Sequence, residues 1–369
     1  MTAWIRTPEA LAQLARSLAG GRAFSLDTES DSLFHHFEKV CLVQIATEDG
    51  HCYLVDPLVL HDLSPLAPIM ADPGIVKVLH GADYDVSTLK RDFAFSFASL
   101  FDTMIAARLL GRPELGLAAV ARAELGVTLS KDNQKDDWSR RPLTPQQEAY
   151  AAADVAHLVA LQQRLTSHLE SLGRLAWLRE ECDAVAALGP AARRRNPDAY
   201  LSIKGAKRLA PRALAALREL HVWREHRAQE TNLPPFRILG NEVLLRLAGL
   251  PKGAGGLASS LPPRLRSREG ELAEALARAQ ALDEGQLPVV PRSARPILPD
   301  PVLRRIARLK AWRTVKAAEL KLDASVVLPQ RLIDKLAEAG PRDADGLGAI
   351  EGLRRWRIHT FGREILAAL

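Results

Sequence analysis

Residues 216–248 and 305–337 align without a gap at an offset of 89 residues, which pairs Trp223 with Trp312, Arg224 with Arg313, Leu239 with Leu328 and Leu247 with Leu336. Two copies at so long a period cannot stack into a solenoid, so the C-terminal part of the chain must hold two homologous small helical domains. The intervening LPVVPRSARPILPDP is proline-rich and reads as a stiff spacer. With 369 residues in all, the chain has room for two or three units with separate cores, and the residues before the repeat must supply the rest.

Strand signals are confined to the first half. The runs AFSLDTE, VCLVQIAT, HCYLVDPL and IVKVLHG carry β-branched and aromatic residues between turn or helical segments. The first three follow one another too closely for helical crossovers and predict an antiparallel meander, whereas IVKVLHG follows a helix-length stretch and is free to pair in parallel. From about residue 100 to 190 apolar residues recur at helical spacing, through FDTMIAARLLG, ELGLAAVARAELG and a long run from Thr144 to Leu188. The expected organisation is an α/β domain over 1–192, a basic linker broken by proline and glycine over 193–209, a helical domain over 210–285, a Pro-rich linker over 286–300 and a second helical domain over 301–369.

Apolar residues at 47% and charged residues at 25% fit a folded globular chain and exclude a disordered one. Cys41, Cys52 and Cys182 lie far apart without CxxC spacing, which supports neither a disulfide framework nor a zinc site and suits a reducing cytosol. The N-terminal stretch reads as an amphipathic helix entered at Thr7 with Pro8 in its first turn, so no export signal, membrane span or lipid anchor is expected. A net charge of +6 suits a polyanionic partner without requiring one. No coiled-coil pattern is present, and a monomer is expected.

Three acidic positions stand out. Asp27 and Glu29 lie two apart in FSLDTES, so both project from one face of a strand. Such a pair either holds a cation or lies at a sheet edge in water, because two desolvated carboxylates repel. In HGADYDVSTLKRDF, Asp83 is placed to cap a helix and Asp85 lies in its first turn, where the helix dipole accounts for it equally well. In QQEAYAAADVAHLV, Tyr150 and Asp154 share a helical face among alanines, which either serves ordinary packing or lets the helix approach the acidic strand closely.

Together these stretches resemble the three exonuclease motifs of the DEDD superfamily: LDTE the first, HGADYD the second and YAAAD the third, with the tyrosine placed as in the DEDDy branch. FDTMIAARLLG and DWSRRPLT resemble ribonuclease D and its eukaryotic exosome relatives, and the repeat resembles tandem HRDC domains, a module shared with RecQ-type helicases. IKGAKRLAPR resembles the junction before the first of them, so the likeness spans nearly the whole chain.

The resemblance implies a ribonuclease H-like α/β nuclease domain followed by two all-α HRDC bundles. It implies a cytoplasmic 3′-5′ exoribonuclease acting on single-stranded 3′ ends, such as those of transfer RNA precursors, and releasing nucleoside 5′-monophosphates. Asp27, Glu29, Asp85 and Asp154 would then be ligands of two divalent ions, Mg²⁺ or Mn²⁺, and Tyr150 would position the attacking water. Gathered carboxylates raise one another's pKa values, and two ions about 3.5–4 Å apart would neutralise them. A phenol titrates near 10, so Tyr150 is expected to orient the water and not to take its proton. The same motifs occur in DNA exonucleases, and a catalytically silent RNA-binding protein is a further alternative, opposed by the presence of all four carboxylates and the tyrosine.

Trp138, Arg140 and Arg141 are candidates to stack on or neutralise an incoming strand, and Arg224 and Arg227 to hold phosphates from the first repeat. Trp223 and Trp312 are expected to be buried anchors. The tail RRWRIHTFGRE makes the second repeat the more basic. His80 is expected to pack at a strand end, and Asp102 to cap the helix that follows it.

Overall fold

The computed structural model describes residues 2–130, 132–192, 196–250, 257–290 and 298–369. Contacts divide the chain into two units: Met1–Ser30, Val40–Ala192 and Arg295–Leu369 form the first, Asp31–Lys39 and Arg193–Ala294 the second.

The first unit is built on a six-stranded sheet in the order β1-β4-β3-β2-β5-β6, comprising β1 (Thr2–Ile5), β2 (Ala23–Ser30), β3 (Val40–Thr47), β4 (Cys52–Val55), β5 (Val76–Leu79) and β6 (Leu100–Asp102). β2, β3 and β4 form the expected antiparallel meander, and β5 pairs with β2 in parallel. β1 and β6 add parallel edges that were not legible in the sequence. Runs of four and three residues are too short to show a period, and only pairing with β4 and β5 makes them strands.

Helices cover the sheet. α1 (Pro8–Ala19) begins as its sequence demands, with the Thr7 side chain accepting from the Ala10 N–H and Pro8 in the first turn. α2 (Asp83–Phe93), α3 (Thr103–Leu109) and α4 (Leu117–Leu125) follow. The long helical run after Thr144 is three helices, α5 (Pro145–Ala156), α6 (Leu158–Ser171) and α7 (Leu175–Ala186). Gly173, at φ +65°, makes the turn between the last two.

The second unit contains α8 (Pro211–Thr231), α9 (Asn241–Ala248) and α10 (Glu269–Ala281). Most of the expected linker over 193–209 belongs to it: Tyr200, Ile203 and Ala206 are buried in its core within short 3₁₀ turns. The basic and broken sequence conceals three apolar residues whose partners lie elsewhere in the chain. Residues 193–195 of that segment, and 291–297 of the Pro-rich one, lie outside the described residues.

The repeat returns in the first unit as α11 (Asp300–Leu320), α12 (Gln330–Ala339) and α13 (Arg355–Ala368). α8 and α11 each run 21 residues and end on a left-handed residue, Asn232 and Lys321. Arg224 Nη1 donates to the Leu239 carbonyl and Arg313 Nη1 to the Leu328 carbonyl, both at 3.1 Å. Trp223 and Trp312 are half-buried, with their indole N–H groups donating to Glu271 and Glu364.

α13 docks on α7. Trp356 stacks on Trp177 with ring centroids 4.3 Å apart, and Glu181 accepts from Trp356 Nε1 at 3.0 Å and from Arg357 Nη1 at 2.7 Å. The N-terminal cap of α13 has no side-chain bond of its own, and Glu180 takes the free Arg355 and Trp356 N–H groups instead. Arg174 donates to the Leu109 and Leu320 carbonyls, joining the ends of α3 and α11. At Gly111, φ +75°, a side chain would collide with the Lys321 carbonyl. Arg354 and Arg357 of the basic tail are thus engaged inside this unit, while Arg355 and Arg363 are exposed.

Burial alone would push the Glu181 carboxyl up, yet Arg357, the two hydrogen bonds and Arg354 hold it below 4.5. A depressed carboxylate stabilises the fold above its unfolded pKa and loses that contribution as pH falls through the folded value. Glu181→Ala, which strands the buried Arg357, should destabilise the first unit by about 3 kcal/mol. Thermal melts should show that difference near neutral pH and a smaller one below about pH 4.

Candidate active site

β2 passes from core to pocket along its length. Ala23–Leu26 are buried, and from Asp27 onward the strand is partly exposed, with Asp27 opposite Gln44 and Glu29 opposite Leu42 on β3. The register shifts between Glu29 and Ser30, where Ser30 pairs with Val40 and the strand ends.

The second acidic position is set by the turn from β5 into α2. Gly81 adopts φ +75°, and a Cβ there would sit 3.1 Å from Met104 Cε. The Asp102 carboxylate accepts from the Gly81 and Ala82 N–H groups at 3.0 and 2.8 Å, and from Met104 and Ile105 at the start of α3. Asp102 therefore caps α3 as expected and also braces the start of α2. Asp83 does not cap α2: it is the first residue inside the helix and is exposed, the cap residue is Ala82, and the buried Asp102 holds the Gly81 and Ala82 N–H groups just ahead of the helix. Asp85 is 7% exposed and accepts from Thr28 Oγ1 at 2.5 Å, which ties the first motif to the second.

The third position comes from α5, whose start is fixed by a capping box between Thr144 and Gln147 with Pro145 in the first turn. Its alanines allow close packing on β2, β3 and β4. Tyr150 hydrogen-bonds the Asp154 carboxylate. Oxygen atoms of Asp27, Glu29 and Asp154 lie within 4.8 Å of one another. With Asp85 and Tyr150 they line a pocket of about 400 Å³ that also includes Thr28, His80, Tyr84, Met104 and Gln134.

No lysine or arginine appears among the described residues lining that pocket. Burial, then the charges of Asp85 and Asp154, raise Asp27 well above the carboxylate range. Burial and three neighbouring aspartates of the cluster push Glu29 up to about 10. Asp85 rises to about 6, burial outweighing the Thr28 hydrogen bond, and Asp154 to about 6, burial outweighing that of Tyr150. Burial and the Asp154 charge raise Tyr150 further, so it stays a phenol and a donor. An all-oxygen donor set that repels itself fits a hard divalent cation.

The suggested strand contacts are placed differently. Trp138 is 1% exposed, packed 6.0 Å from Tyr150 and among Cys41, Leu42 and Leu54, so it supports the tyrosine and has no face for a base. Arg141 donates to both oxygens of the buried Asp56 and to the Cys41 carbonyl, and is structural. Arg224 is buried on the Leu239 carbonyl and Asn241. Arg227 is partly exposed in a surface pair with Glu230, and Arg140 is largely exposed beside Asp137. An arginine next to a tryptophan in sequence does not reveal which carbonyls will claim it.

A sheet of this topology with carboxylates from β2, α2 and α5 around one pocket is the arrangement of a 3′-5′ exonuclease. Residues 2–170 match the family described as 3′-5′ exonuclease, and residues 213–271 and 302–369 each match the HRDC domain. The chain is 34% identical over 375 residues to the ribonuclease D of Pseudomonas paraeruginosa, covering 99% of this chain and 97% of that one. It is 34% identical over 293 residues to the ribonuclease D of Escherichia coli, covering 77% and 76%. The E. coli enzyme's crystal structure, described as that of an exoribonuclease involved in structured RNA processing, superposes with a TM-score of 0.71 at 29% identity over 99% of this chain and 98% of that one. The catalytic core of RRP6 from Trypanosoma brucei gives 0.70 at 28% identity, covering 76% and 81%. The chain belongs to the ribonuclease D family. No helix among the described residues is long and apolar enough to cross a membrane.

Raised carboxyl pKa values favour the metal-free fold only at low pH. That contribution is lost as pH climbs from the ordinary values of 3.8 and 4.5 through about 6 for Asp85 and Asp154 toward about 10 for Glu29. In EDTA the melting temperature should therefore fall between about pH 5 and pH 9, and Glu29→Gln should flatten that slope. Added Mn²⁺ should raise the melting temperature more at the alkaline end.

Proposed function

We propose that this chain is a metal-dependent exoribonuclease that hydrolyses single-stranded 3′ ends of RNA, transfer RNA precursors among them, one nucleoside 5′-monophosphate at a time. The observation that carries the proposal is the pocket in which Asp27, Glu29, Asp85 and Asp154 converge without a neutralising lysine or arginine among its described lining residues. Ribonuclease D relatives over nearly the whole chain support RNA as the substrate.

Asp27, Glu29, Asp85 and Asp154 would hold two divalent ions, Mg²⁺ or Mn²⁺. When bound, such ions lower the pKa of the attacking water and stabilise the leaving 3′ oxygen of an in-line displacement. Tyr150, kept protonated by burial and by Asp154, orients that water through a hydrogen bond and does not take its proton. Trp138 packs behind the tyrosine ring and limits its movement. Thr28 holds Asp85 toward the cluster.

The test is a time course on matched 5′-labelled single-stranded RNA and DNA with Mg²⁺, Mn²⁺ or EDTA. RNA should shorten stepwise from its 3′ end, faster than DNA, and only with metal. Asp27→Asn with Asp154→Asn should abolish shortening, while Tyr150→Phe should slow it by about 10²-fold or more. RNA left intact by metal-replete protein would sink the reading, and a preference for DNA would reassign its substrate.

A further inference from the structure

His80 follows β5 directly and lines the same pocket as the carboxylates. Its Nδ1 lies 2.9 Å from Thr103 Oγ1, and that hydroxyl lies 3.0 Å from the Leu79 carbonyl. A carbonyl only accepts, so the threonine proton goes to Leu79, and the imidazole donates from Nδ1 to Thr103. Nε2 is left with a lone pair. It is buried without a well-formed hydrogen bond, and the Leu115 carbonyl beside the ring, an acceptor suited to a protonated Nε2, does not pair with this tautomer. Burial lowers the ring's pKa against the pull of Asp102, so the imidazole is neutral near pH 7.

A polar atom stranded in the wall of a substrate pocket is destabilising until a ligand completes its bonding. His80 lines the pocket while its Nε2 is buried, so a ligand reaches that atom when the wall shifts, and Met104, an unbranched side chain able to move, forms part of the same wall. An enzyme that removes nucleotides in succession meets every base, with donors and acceptors in different places, but each ribonucleotide brings the same 2′-hydroxyl. That hydroxyl both donates and accepts, so it matches Nε2 in either tautomer of the ring. DNA has no group there to offer.

We propose that His80 is a specificity-determining residue that hydrogen-bonds the 2′-hydroxyl of the 3′-terminal ribonucleotide through Nε2. The inference rests on the exoribonuclease reading and assigns that pocket its choice of sugar.

The experiment compares the first cleavage, under single-turnover conditions, of two 5′-labelled RNAs that differ only in a 2′-deoxy 3′-terminal nucleotide. Wild-type protein should remove the ribonucleotide about tenfold faster. His80→Asn keeps an amide where Nδ1 meets Thr103 and lacks a polar atom at the Nε2 position. It should slow the ribo end about tenfold and leave the deoxy end unchanged. His80→Gln, whose amide reaches the Nε2 position, should recover part of the difference. Equal wild-type rates on the two ends overturn the proposal whether or not the variants fold, and so does an equal slowing of both ends by His80→Asn. If wild-type protein cleaves neither RNA, the exoribonuclease reading fails and this inference falls with it.

Discussion

Asp27 and Glu29 from β2, Asp85 from α2 and Asp154 from α5 line one pocket, where burial makes each harder to ionise and the charges of the other cluster carboxylates add to that at Asp27 and Glu29. Nothing in that cluster is self-stabilising, so the surrounding structure has to hold it together. Asp102 accepts from four backbone N–H groups and thereby joins the starts of α2 and α3. Thr28 reaches across to Asp85, and the capping box at Thr144 sets where α5 begins and so which face carries Tyr150 and Asp154. Strain of this kind is tolerated where a ligand relieves it, which is why repulsion among buried carboxylates is itself an argument for function.

The two helical repeats share local construction and differ in what their polar groups meet. In both, a tryptophan indole bonds a glutamate and an arginine donates to a carbonyl just before the second helix, α9 or α12. The second copy adds Arg354, Trp356 and Arg357, which are bound to Glu181 on the nuclease helix α7. In a tail that looks like a phosphate-binding surface by its charge, Arg354 and Arg357 therefore serve internal docking, and Arg355 and Arg363 face solvent. Charge counts describe attraction at a distance, whereas a guanidinium's role depends on which acceptors lie within about 3 Å.

The meander, the parallel β5, the helical run after residue 100 and the two helical copies were legible because each rests on a local signal: β-branched alternation, loop length, helical spacing or self-similarity. β1 and β6 were not, since strands of four and three residues are defined by their partners. The buried turns around Tyr200 and Ile203 were hidden for a related reason, a basic and broken sequence masking apolar side chains whose core lies elsewhere.

The sequence by itself determined which residue types stand at which spacing: two carboxylates on one strand face, an aspartate in a first helical turn, a tyrosine and an aspartate one helical turn apart. Those follow from periodicity, which is a property of neighbours along the chain. Only the tertiary structure decided that the three stretches converge, that Asp102 and not Asp83 holds the start of α2, that Trp138 is buried behind Tyr150, and that Arg141 and Arg224 serve the fold. Burial, shifted pKa values and the ownership of a hydrogen-bond acceptor depend on groups distant in sequence, and those groups meet only when the sheet and its helices close around them.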